Sequence, residues 1–129
     1  MHTEKKVLII TDSGEQLDLT AQSIKNCLQD SAVKICQAKE FAGTDLLPAQ
    51  IFFIGCNSPK PPSFSYLEEM LSHINLVSRK CGILSSNEKS LEYLSGILKD
   101  CEAELGEPLL INGGTDKNKI ENWLKGVIR

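Results

Sequence analysis

Hydroxyl, amide and carboxylate side chains gather in three short strings: Thr11-Asp12-Ser13-Gly14-Glu15-Gln16, Cys56-Asn57-Ser58-Pro59 and Ser85-Ser86-Asn87. Each follows an apolar run, Val7–Ile10, Ile51–Ile54 and Ile83–Leu84. In the first string, Thr11, Ser13 and the backbone around Gly14 would supply hydroxyl and amide donors at a helix N-terminus. That arrangement suits a phosphate or another anion. The same residues also make an ordinary turn, with Asp12 and Ser13 capping the helix and Gly14 at positive φ. Neither G-x-x-x-x-G-K-[ST] nor G-x-G-x-x-G occurs, which excludes those nucleotide-binding motifs in their usual forms.

Cys56 stands at a strand's carboxyl end, where a helix N-terminus can stabilise a thiolate. A phosphatase loop would need an Arg six residues on, and Pro62 is there. His2 and His73 lie at the terminus and on a helical pattern, away from it. A phospho-receiver would need an acidic pair, a phosphoacceptor Asp and a Lys at successive strand ends. Asp12 and Ser85 suit that scheme, but Cys56 and Asn112 stand where the Asp and Lys belong.

The elements that place these strings follow from periodicity. Val7–Ile10 and Ile51–Gly55 are unbroken apolar runs of the kind that form parallel strands buried on both faces. Val33–Cys36 alternates and predicts an edge strand. Cys81–Leu84 is a fourth strand. Pro108–Ile111 is a fifth, with its proline tolerable at an edge. Helical spacing predicts α-helices over Leu17–Gln29, from a Ser65–Glu68 capping box to Val77, and over Lys89–Leu105 with Gly106 closing it. A last helix runs through Ile120, Trp123, Leu124, Val127 and Ile128, capped by Thr115 or Asp116, after an Asn112-Gly113-Gly114 turn. Phe41–Leu47 reads as a connection, and the Pro59–Pro62 loop cannot be helical. Alternating strands and helices predict a three-layer α/β fold with one five-stranded parallel sheet, order 2-1-3-4-5, in one domain over 1–129. The order reverses between the first and third strands, which brings Thr11–Gln16 beside Cys56–Phe64 at the edge where such folds bind ligands.

These strings and their order resemble the flavodoxin family. Thr11-Asp12-Ser13-Gly14 is similar to its T/S-x-T/S-G phosphate loop, and Thr20–Ile24 to the helix after it. Ile54-Gly55-Cys56-Asn57-Ser58 resembles its third strand end, Leu91–Gly96 its next helix and Ile120–Ile128 its last. The resemblance implies FMN, with the phosphate at Thr11, Asp12, Ser13, Gly14, Glu15 and Gln16. It places the ring between Cys56, Asn57, Ser58 and Pro59 on one side and Ser85, Ser86 and Asn87 on the other. It also implies an electron carrier that works with a redox partner protein and is not a substrate-specific enzyme. Gln16 departs from the family's G-x-T, and Pro59 and Leu91 stand where its stacking aromatics belong. Ser85 and Asn87 replace glycines there, while Glu88 keeps an acid. The alternative is a cofactor-free domain of the same fold, docking a protein through Pro59-Lys60-Pro61-Pro62 and an exposed Phe64.

Composition narrows the classes. A net charge of −3 over 129 residues offers no basic footprint for nucleic acid. No apolar run approaches the roughly 18 residues of a membrane span. Five scattered cysteines without a C-x-x-C pair point away from zinc and from a disulfide framework. The expected location is the cytoplasm, where thiols stay reduced.

Overall fold

The computed structural model describes residues 5–12, 14–111 and 117–128. Ser13, the 112–114 turn and the cap at 115–116 lie outside the described residues. Strand β1 (Lys6–Thr11) is buried from Val7 onward, and β3 (Ile51–Gly55) is buried throughout. Alternation along β1 sends Val7 and Ile9 to one face, and Leu8 and Ile10 to the other. That two-sided burial explains why both strands read as continuous apolar runs.

The sheet is parallel, with β1 flanked by β2 (Ala32–Gln37) and β3, and β3 flanked by β4 (Lys80–Ser85). The fifth position holds two short strands in place of one. β5 (Glu104–Leu105) pairs the start of β4, and β6 (Leu109–Leu110) pairs its end. The interruption spans residues 106–108. Pro108 has no N–H to give, and Gly106 is pressed against α5, where a Cβ would meet the Val127 Cγ2 at 2.9 Å. The sheet order 2-1-3-4-5 is as expected, and the fold is a flavodoxin-like α/β arrangement.

One face carries α1 (Glu15–Cys27) and α5 (Lys117–Ile128), whose Leu17, Ala21, Ile24, Ile120, Leu124 and Val127 cover Val7, Ile9 and Phe53. The other carries α3 (Ser65–Leu71) and α4 (Glu88–Leu98) over Leu8, Ile10, Phe52 and Ile54. Between β2 and β3 lies one helical turn, α2 (Gly43–Leu46), where a connection was expected. Asp45 makes that turn by accepting from the Ala42 N–H at 3.2 Å.

Helix ends differ most from expectation. α1 begins two residues before Leu17. α3 stops at Leu71 and leaves Val77 59% exposed. The Ser72 hydroxyl donates to the Glu69 carbonyl, competing with the helix ladder just where the helix ends. Ser65 makes no capping box, because a 3₁₀ turn over Pro62–Phe64 runs straight into α3 and the Ser65 hydroxyl donates to the Pro62 carbonyl. α4 ends seven residues before Leu105, which lies 40% exposed in β5. Beyond it Glu102 adopts φ 61°, and the Cys101 carbonyl accepts from the Leu76 N–H at 2.6 Å. A tertiary bond thus takes the backbone that a longer helix would have used.

Candidate functional site at the carboxyl edge of the sheet

Thr11 ends β1 with no exposed surface, and its hydroxyl oxygen has no hydrogen-bond partner. By alternation it shares the face of Val7 and Ile9, beneath α1. Gly14 occupies the N-cap of α1 in an extended conformation (φ 160°, ψ 135°), and among the described residues no side chain caps the helix. Gly14 does take a positive φ, though at an extended 160° and not in the left-handed region. Ser13 lies outside the described residues, so the turn reading is corrected only for Asp12. Asp12 does not cap α1, because its carboxylate turns across the edge and accepts from the Ser63 hydroxyl at 2.7 Å. The Asp12 N–H is held by the Gly55 carbonyl at 3.0 Å. Among the described residues no side chain accepts from the first-turn amides of α1, which leaves them available to an anion. Glu15 and Asp18 also lie in that turn and add negative charge beside it.

The second and third strings are bonded to each other. The Asn57 Oδ1 accepts from the Ser86 N–H at 3.2 Å, and the Asn57 carbonyl accepts from the Asn87 Nδ2 at 2.6 Å. Only Ser86 and Asn87 separate β4 from α4. Asn87 also caps α4 through the Ser90 N–H at 2.8 Å, while its own N–H donates to the Ser85 hydroxyl at 3.2 Å. A backbone N–H only donates, so the Asn57 atom facing Ser86 is the oxygen and the Nδ2 is the other arm. That Nδ2 lies 3.5 Å from where a Cβ on Gly14 would stand. Asn57 thus meets the first string as well as the third.

Ser58 and Pro59 are exposed, and Lys60 follows at φ 50°. Cys56 is fully buried, and its thiol is pushed up to about 12, chiefly by burial and further by the Asp12 carboxylate. The Ser58 N–H and the Ser90 hydroxyl pull the other way. The Ser90 oxygen is buried without a partner of ordinary hydrogen-bond geometry, so its effect on Cys56 is that of a polar neighbour. A thiol this far above neutrality holds its proton and is no nucleophile. Among the described residues no cluster of three His, Cys, Asp or Glu is placed to hold a metal ion. No described helix is long and apolar enough to cross a membrane.

None of the seven aromatic side chains belongs to these strings. Phe52, Phe53 and Phe64 are fully buried. Phe64 was expected on the surface of the proline loop, and it instead packs beside Tyr93 at 6.3 Å between ring centroids. Tyr93 donates to Glu68, and Tyr66 pairs with Phe41. Trp123 packs on Phe53 and donates to the Glu107 carbonyl at 2.6 Å. Leu91 is buried, so it presents no surface for a ring. Sequence reasoning named the residues of the three strings but missed Ser63 and Ser90. Ser63 had a signal, being a hydroxyl in the loop facing the first string, whereas Ser90 reads as any polar residue on a helix.

No family model matches the chain, and no curated protein matches it. Solved structures are similar in fold. The flavodoxin of Streptococcus pneumonia TIGR4 superposes with a TM-score of 0.81 at 15% identity, over 95% of this chain and 97% of that one. Oxidised Flavodoxin 2 from Bacillus cereus gives 0.80 at 18% identity over the same shares, 95% and 97%. Fusobacterium nucleatum flavodoxin bound to flavin mononucleotide gives 0.70 at 11% identity, over 94% and 95%.

Proposed function

We propose that this chain is a flavodoxin-like FMN-binding protein that carries electrons to and from a partner protein. The observation that carries the reading is the buried, unpartnered Thr11 hydroxyl beneath an α1 N-terminus to which no side chain among the described residues is bonded. Two adjacent sets of unmet hydrogen-bonding groups at a strand-to-helix turn suit the phosphate of a bound nucleotide. The likeness to FMN-bound flavodoxin of Fusobacterium nucleatum supports the choice of nucleotide. Thr11, Gly14, Glu15 and Gln16 would surround the phosphate, with Asp12 and Ser13 in the same turn. The ring would lie toward Cys56, Asn57, Ser58, Pro59, Ser85, Ser86 and Asn87. When bound, the flavin supplies reversible electron uptake, and the chain supplies binding, orientation and electrostatics.

A visible absorbance scan of the purified protein, followed by an FMN fluorescence-quenching titration, tests this. A yellow preparation, or quenching with a micromolar or tighter Kd, is the expected result. A colourless protein that leaves FMN fluorescence unchanged overturns the carrier. A specific observation then favours a second reading, a cofactor-free domain that docks a partner: the Asn57 bonds to Ser86 and Asn87 already satisfy the loops that would flank a ring.

A further inference from the structure

The two halves of the carboxyl edge differ in what they leave unsatisfied. Under α1 the Thr11 hydroxyl is buried and unpartnered, and no side chain among the described residues caps the first turn. Between β3 and β4 several polar groups are bonded to one another. Asn57 bonds Ser86 through its side chain and Asn87 through its carbonyl, and Asn87 is further tied to Ser85 and Ser90. Only two residues join β4 to α4, so the bonded groups on that side sit on a short connection. Nor does either string carry an aromatic face for a ring to stack on.

We infer that this edge selects its ligand by a phosphomonoester group and is nearly indifferent to what the phosphate carries. The Asn57–Ser86–Asn87 latch closes the ground where a ring would make its selective contacts. The inference rests on the proposed phosphate position beneath α1, and it widens that reading from FMN to sugar phosphates as a class. Thr11 and the first-turn amides supply the affinity. Asn57 is a positioning residue that holds the second half of the edge shut.

Calorimetric titration of the full chain with FMN, riboflavin and ribose 5-phosphate, each alone and in competition, decides it. Ribose 5-phosphate is expected to bind within about tenfold of FMN and to displace it, with riboflavin at least roughly a hundredfold weaker. The Asn57→Ala variant, which frees the Ser86 N–H, is expected to raise the affinity for FMN over that for ribose 5-phosphate by more than about threefold. A ratio the variant leaves unchanged overturns the latch. Riboflavin binding within about tenfold of FMN, with ribose 5-phosphate silent, overturns the inference while the flavin reading stands. If none of the three binds, both fall together.

Discussion

Thr11 carries a hydroxyl where valine would fit the same space, at a position with no exposure and no partner. A buried polar group left without a hydrogen bond costs the folded state about 1–3 kcal/mol. Thr11→Val should therefore stabilise the ligand-free protein, raising Tm by about 4 °C for each kcal/mol recovered. The same substitution removes a donor to a charged ligand and should weaken FMN binding about 10- to 100-fold. Ser90→Ala is the control, since it also removes a buried unpartnered hydroxyl but one placed beside Cys56. It should raise Tm and leave FMN affinity unchanged. Thermal melts and titrations on both variants read this directly, and a Thr11→Val protein that binds FMN like the parent removes the phosphate site. Thr11 was legible because a hydroxyl ends an aliphatic run at a strand-to-helix turn. The direction of Asp12 was not, because its partner Ser63 is 51 residues away in the chain.

At the level of elements, Asn87 joins two structures that periodicity treats separately, the start of α4 and the wall of the ligand edge. Its side chain accepts from the Ser90 N–H and donates to the Asn57 carbonyl. Loss of an N-cap costs about 1 kcal/mol, and loss of one further hydrogen bond a similar amount. Asn87→Ala should thus lower stability by about 2 kcal/mol by urea unfolding. Amide exchange should quicken at both Ser90 and Ser86. Faster exchange at Ser90 alone would mean that the cap and the latch are independent. Helix cores were readable from spacing, as α1, α4 and α5 show, but their ends were not. α4 looked as though it ran to Leu105 because Cys101 and Leu105 keep the apolar rhythm, yet Cys101 is buried beyond the helix and Leu105 sits exposed in β5. The bond from Leu76 to Cys101 that accompanies the change crosses 25 residues, and no local pattern encodes it.

For the molecule as a whole, the layered fold was legible because β1 and β3 are apolar on both faces, a pattern characteristic of a parallel sheet covered on both sides. The same two-sided core holds the thiols. Cys56, Cys81 and Cys101 are fully buried, while Cys27 and Cys36 are half-buried. Burial raises Cys81 and Cys101 above the ordinary 9.0, lifts Cys36 to about 11, and with Asp12 lifts Cys56 to about 12. The sign follows from proton counting. Below pH 9 these thiols keep their protons folded or unfolded, so their contribution to stability does not change. Between about 9 and 12 the unfolded chain releases protons that the folded one retains, so stability falls as pH rises. Urea midpoints should therefore hold steady from pH 7.5 to 8.5 and decline from about 9 upward. Cys56→Ala should lower the midpoint at neutral pH, through the cavity it leaves in the core, and make the alkaline decline shallower. A midpoint that stays flat to pH 10.5, or a decline that Cys56→Ala leaves as steep, would show that the thiols open to water before they titrate. The carboxyl edge around Cys56 would then be looser than its hydrogen bonds to Asn57, Ser86 and Asn87 require.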